Sequence, residues 1–195
     1  TLPSGWVSGS GITATVNNGL NISGSNDGTV YYNSFSTQSP FIIEADFYPN
    51  TPSIGTGIMA EYGQTGSDMY NGYLFWMSPT FAIYYIEESS GVSFTVISAS
   101  GTASQVQQIL SGVVGNGYQA LYDNYELITS GTNNLFTPSQ MQQIGFRINA
   151  GTDVIENAYW LRVRAYPPNG VMPSVSIGSP KIYNYGYIEY PVGMI

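Results

Sequence analysis

Along most of this chain, apolar and polar residues alternate with the two-residue period of a half-buried strand, and two such stretches organise the rest. In Phe41-Ile42-Ile43-Glu44-Ala45-Asp46-Phe47-Tyr48, the residues Phe41, Ile43, Ala45 and Phe47 share one face, and Glu44 and Asp46 share the other. In Tyr159-Trp160-Leu161-Arg162-Val163-Arg164-Ala165-Tyr166, the apolar set is Tyr159, Leu161, Val163 and Ala165, and the opposite face carries Arg162 and Arg164. Opposite charges directly across an antiparallel pair favour pairing by roughly 0.2–1 kcal/mol each. The two stretches are therefore predicted to be neighbours in one sheet, with Glu44, Asp46, Arg162 and Arg164 as a structural ion-pair cluster.

The remaining pattern is a series of short strands. Residues 12–16 and 20–23 alternate on either side of Asn17-Asn18-Gly19 and predict a hairpin. The anchor strand ends in the loop signature Pro49-Asn50-Thr51-Pro52, and 58–62 reads as the next strand. Residues 73–77 and 81–86 are apolar on both faces, which predicts central strands covered on each side. Glu87-Glu88-Ser89-Ser90-Gly91 reads as a solvated hairpin tip leading into an alternating strand over 92–96. Residues 118–121 and 125–129 pair around Asp123-Asn124, 144–148 forms a further strand, and Pro167-Pro168-Asn169-Gly170 turns the chain into 174–177. The tail places Tyr183, Tyr185 and Tyr187 on one face of a last strand, followed by Tyr190. Two stretches carry helix signals. One starts at Ser104, with Val106, Ile109, Leu110 and Val113 at helical intervals. The other is a helix of barely two turns opened by Thr137-Pro138-Ser139-Gln140. Many short strands and almost no helix specify a single all-β domain over 1–195, a jelly-roll sandwich of two antiparallel sheets with one or two short helices.

Composition narrows the chemistry. The 195 residues are 43% hydrophobic but only 8% charged, so hydroxyls, amides and tyrosines supply most of the polar surface. Four Lys and Arg against twelve Asp and Glu give a formal charge of −8. That balance repels a phosphate backbone and excludes nucleic acid as a partner. Cysteine and histidine are absent, which removes disulfides, thiolate metal sites and the usual general base. Apolar runs fall far short of the ~20 residues of a membrane-spanning helix. A surface indifferent to acid, without cysteine, predicts an extracellular or cell-surface protein, in keeping with a hot, acidic habitat.

Gly5-Trp6, Gly19-Leu20-Asn21-Ile22, Ile43-Glu44-Ala45-Asp46-Phe47 and Trp160-Leu161-Arg162-Val163-Arg164 resemble the concanavalin A-like, laminin-G-like jelly-roll superfamily. The resemblance implies two stacked, curved antiparallel sheets; its members include lectins, adhesion modules, coat proteins and glycoside hydrolases, so fold alone names no role. Glu44-Ala45-Asp46 also partly resembles the E-x-D core of a jelly-roll glucanase family. Two carboxylates ~6.6 Å apart on one strand face suit glycoside hydrolysis. Tyr48, however, stands where that pattern needs a further glutamate. Salt-bridged carboxylates also have lowered pKa values, the wrong direction for a general acid.

Three functions follow as expectations. The first is a non-catalytic subunit of an extracellular filament or coat, binding copies of itself or other surface proteins. Its contacts would come from strand edges and from the tyrosine-rich tail of Tyr183, Tyr185, Tyr187 and Tyr190. The alternative is a lectin-like, carbohydrate-binding adhesion module, with Trp76, Tyr84, Tyr125 and Trp160 stacking on sugar rings unless they pack the core. A glycosidase ranks third. No cofactor is expected, although Asn26-Asp27, or Asp153 with Glu156, would contribute oxygens if calcium were bound. Asn21-Ile22-Ser23 matches the N-glycosylation sequon, or is a chance tripeptide.

Overall fold

A computed structural model describes residues 1–24, 27–50, 55–63, 71–78, 80–91, 93–149 and 154–167, and the backbone of 175–177, 181–182, 188–189 and 192–194. The chain forms two compact units, Thr1–Ala165 and Tyr166–Ile195. Unit one opens with β1 (Trp6–Ser8), β2 (Ile12–Val16), β3 (Leu20–Gly24) and β4 (Gly28–Tyr32), followed by β5 (Phe41–Asn50), β6 (Gly55–Tyr62), β7 (Asn71–Ser78), β8 (Ile83–Ser90) and β9 (Ser93–Ser100). It continues through β10 (Gln108–Val114), β11 (Gln119–Asp123) and β12 (Glu126–Gly131), a 3-10 turn at Pro138–Gln140, β13 (Gln143–Asn149) and β14 (Val154–Ala165). Unit two contains β15 (Val175–Ile177) paired with β18 (Val192–Met194), and β16 (Lys181–Ile182) paired with β17 (Ile188–Glu189). Tyr183, Tyr185, Tyr187 and Tyr190 lie outside the described residues.

Two seven-stranded antiparallel sheets make up unit one. The first runs β1-β4-β13-β6-β7-β8-β9 and the second β12-β11-β10-β5-β14-β3-β2. Alternation decides which face each strand buries. Phe41, Ile43, Ala45 and Phe47 of β5 meet Ile58, Ala60, Phe75, Ile86 and Phe146 of the other sheet in one core. Strand β7, apolar on both faces, lies between β6 and β8 and is buried on both sides. The predicted neighbours are neighbours: β5 pairs with β14, and Glu44 stands directly opposite Arg162.

The face of the first sheet turned away from this core is concave. Arg147 of β13 places its guanidinium 4.8 Å from the Phe94 ring centre of β9. In a flat sheet those strands are ~19 Å apart, so the sheet must curl toward that face. Glycines permit the curl. A Cβ on Gly57 would lie 2.5 Å from the Cα of Trp76, and one on Gly72 would lie 2.6 Å from the Cα of Glu61.

Five expectations are corrected. Residues 108–114 form a strand, not a helix: β10 lies between β5 and β11 and buries Leu110 and Val114. Ladder pairing on both sides outweighs the helical spacing of the apolar residues. Glu87 and Glu88 belong to β8, and the turn comes after them at Gly91, whose φ is +67°. Phe81 lies outside the strand, 63% exposed, in a turn where Ala82 has a φ of 49°. Tyr159 is exposed instead of facing the core, because a bulge at Asn157, φ 49°, shifts the register of β14 between Glu156 and Trp160. The turn at Pro138–Gln140 has its capping box, with the Thr137 N–H donating to Gln140 Oε1 at 2.8 Å, but it lasts a single turn.

Candidate functional site

On the outer face of the second sheet, Ser111, Glu44 and Arg162 stand side by side on β10, β5 and β14. Arg162 Nε donates to Glu44 Oε2 at 2.7 Å, Arg164 donates to Oε1 at 2.9 Å, and Ser111 Oγ donates to Oε1 at 3.2 Å. Glu44 is fully buried, while Arg162 is half-exposed. Burial alone would raise the Glu44 pKa, but the hydrogen bonds and charges of Arg164 and Arg162 override it and hold the carboxyl below its ordinary value. A carboxylate so held gives up no proton at neutral pH and cannot serve as a general acid. Asp46 is not bonded to either arginine. It stands opposite Trp160, and its Oδ1 accepts from Gln107 Nε2.

Around this base the same face gathers an aromatic shelf. The Arg162 guanidinium lies 4.7 Å from the Trp160 ring centre and its NH2 group is 3.5 Å from the Tyr125 hydroxyl. Tyr125 is 54% exposed because Asn124 and Tyr125, both with positive φ, form the tip of the β11–β12 hairpin. The ion pair with Glu44 thus positions Arg162, and Arg162 touches both rings. Tyr125, Trp160, Asp46 and Gln107 present planar apolar surface beside hydrogen-bonding groups, the combination a sugar ring requires.

The other two aromatic candidates are elsewhere. Trp76 lies on the concave face of the first sheet, only 7% exposed, stacked on Tyr85 at 4.9 Å and 24°. Tyr84 is buried between the sheets, its hydroxyl 3.1 Å from Gln108 Oε1 and 3.0 Å from Asp123 Oδ2. Its ring packs the core and presents no face to a ligand. Asn21 is tied to the β14 bulge: Nδ2 donates to the Gly19 carbonyl at 3.2 Å and Oδ1 accepts the Asn157 N–H at 3.3 Å. Of the loop oxygens considered for calcium, Asp27 pairs with Arg147 at 3.4 Å and Glu156 accepts from Asn50 at 3.0 Å. Asn26 and Asp153 lie outside the described residues. Sequence reasoning missed Gln107, which reaches the shelf only because 108 pairs with 47, a register no local pattern announces.

The concave face holds a second charged group. Burial raises the Glu87 carboxyl, while Arg147 and the Trp76 indole pull it back toward ionisation. Because its folded pKa lies above its unfolded one, Glu87 costs stability at neutral pH and that cost disappears as pH falls toward ~4. Glu87→Gln is expected to melt a few degrees higher than the native protein at pH 7 and to lose that advantage at pH 4, as thermal unfolding at the two pH values will show.

No protein-family model matches the sequence, and no curated protein matches it. Solved structures do match the fold. The carbohydrate binding module CBM66 from Bacillus subtilis aligns with a TM-score of 0.62 at 19% identity, covering 79% of this chain and 93% of that one. The Emp46p carbohydrate recognition domain in its potassium-bound form aligns at 0.63 and 15% identity, covering 87% and 90%. The VIP36 exoplasmic/lumenal domain in its Ca2+/Man3GlcNAc-bound form aligns at 0.60 and 9% identity, covering 85% and 87%. Unit one, with its two seven-stranded antiparallel sheets, is a jelly-roll sandwich, the fold it shares with these structures.

Proposed function

We propose that this protein is a non-catalytic, lectin-like carbohydrate-binding module of the extracellular space or cell surface. The observation that carries the reading is the shelf of Trp160, Tyr125, Asp46 and Gln107, held from below by the Glu44–Arg162 ion pair. A sugar ring lays its C–H face on an aromatic ring and offers its hydroxyls to adjacent carboxylates, amides and guanidinium groups. Structures named as carbohydrate-binding modules and recognition domains share the fold, which supports the same reading. That support favours glycan binding over the filament or coat subunit, whose tyrosine-rich strand lies outside the described residues.

A glycan array identifies the sugar, and titration calorimetry with that sugar tests the site. Trp160→Ala and Tyr125→Ala should each weaken binding at least tenfold, corresponding to stacking worth ~1.4 kcal/mol or more. Trp76→Phe should leave affinity unchanged. An array without a hit, or equal affinity for the Trp160→Ala variant, removes the reading.

A further inference from the structure

Next to the shelf, the open margin of the sandwich has a groove of about 310 Å³. Leu2, Trp6, Val16, Leu20, Tyr159 and Trp160 are among its walls, and among the described residues no charged side chain lines it. It exists because the β14 bulge at Asn157 turns Tyr159 out of the core while Ala158 stays in it, opening the space between β14 and β1. Its floor is fixed: Phe146 stacks on Trp6 at 6.4 Å and meets Phe47 edge-on at 6.0 Å. Volume and lining agree on the class of occupant. The space is about twice the ~150 Å³ that a dry apolar cavity needs to hold benzene, room for an aryl group or a chain on the order of eight carbons. A bare sugar placed there would lose water from hydroxyls that find few partners, a cost of roughly 1–3 kcal/mol for each one left unsatisfied.

Trp160 belongs to both places, since it lines the groove and its ring lies against the Arg162 guanidinium on the shelf. We infer that the groove takes the apolar aglycone of a glycoconjugate whose sugar rests on the shelf, so that the ligand is amphipathic and spans the two. This inference rests on the carbohydrate-binding reading and adds the second half of the ligand to it. Val16 and Tyr159, both about half-exposed, are the accessible walls, and changes there reach the groove without touching Glu44, Arg162 or Tyr125.

The test is calorimetric titration of the full chain with methyl, butyl and octyl glucosides and mannosides below their micellar concentrations, with octanol as the sugar-free probe. A buried methylene is worth several-fold in affinity, so the octyl glycoside should bind at least tenfold more tightly than the butyl one. Val16→Arg should abolish that chain-length gain and leave methyl-glycoside binding as it was. Tyr159→Ala, an independent variant at an exposed position, should reduce the gain. Methyl glycosides that bind with no gain on lengthening the chain overturn this inference and leave the shelf standing. Octanol that binds as tightly as the octyl glycoside overturns the inference from the other side, because the sugar then contributes nothing. A native dimer that Val16→Arg converts to monomer also overturns it, since the groove then covers a second copy of the chain.

Discussion

Replacing both arginines of the cluster, Arg162→Met with Arg164→Met, is expected to destabilise the protein by about 3 kcal/mol at pH 7. Glu44 has no exposed surface, and the two guanidinium groups hold its carboxylate below the ordinary pKa. Without them the buried charge has only the Ser111 hydroxyl, and burial drives its pKa upward. The converse change is milder. Glu44→Gln leaves two cations that already reach solvent, 52% and 29% exposed, and these rehydrate for about 1 kcal/mol. The sign of the pH response separates the two explanations of any loss. In the native protein, Glu44 contributes stability above its unfolded pKa of ~4.3, and that contribution is lost as pH falls through its lower folded value. In the double variant the buried carboxylate is a penalty at neutral pH that protonation removes. Denaturant unfolding from pH 7 to pH 3 should therefore show the two proteins converging in acid. A gap that stays constant would mean that only packing was lost.

The second large effect is steric. Gly112 lies in β10 directly under Phe75 of the facing sheet, and a Cβ there would come within 2.2 Å of Phe75 Cδ2 and 2.3 Å of Cγ. Phe75 is fully buried and cannot swing away, so the sheets must part or the ring must leave its rotamer. Gly112→Ala should cost about 3 kcal/mol, and Gly112→Val more. Trimming the ring relieves the clash: Gly112→Ala with Phe75→Leu should be more stable than Gly112→Ala alone. The expected coupling is on the order of 1–3 kcal/mol, read from a double-mutant cycle in urea. Additive effects would mean that the two residues do not meet.

The fold was legible where few residue types had to agree. In a chain only 8% charged, acids alternating on one strand and arginines on another marked the two strands as neighbours, and Glu44 does lie across from Arg162, although Asp46 lies across from Trp160. Residues 104–113 were not legible. Val106, Ile109, Leu110 and Val113 fit a helical stripe, and only the ladder to β5 and β11 selects the strand. Glu87 misled for a related reason. Acids before a glycine read as a wet turn, yet the curl of the first sheet leaves Glu87 half-buried beside Trp76 and Arg147. The aromatic shelf was half legible. Tyr125 and Trp160 were candidates as aromatics, but nothing local separates them from Trp76 and Tyr84, which the fold encloses. That distinction depends on strand register, and so does the approach of Gln107 to Asp46.

A titration followed by 1H–15N NMR puts the central claim to its most direct test, because the chain has three tryptophans and hence three indole N–H signals. Adding the sugar that the array selects should shift the Trp160 signal progressively to saturation and leave that of Trp76 in place. Movement at Trp76 with Trp160 unmoved would contradict the account, since the ligand would then occupy the concave face of the first sheet and not the shelf above Glu44.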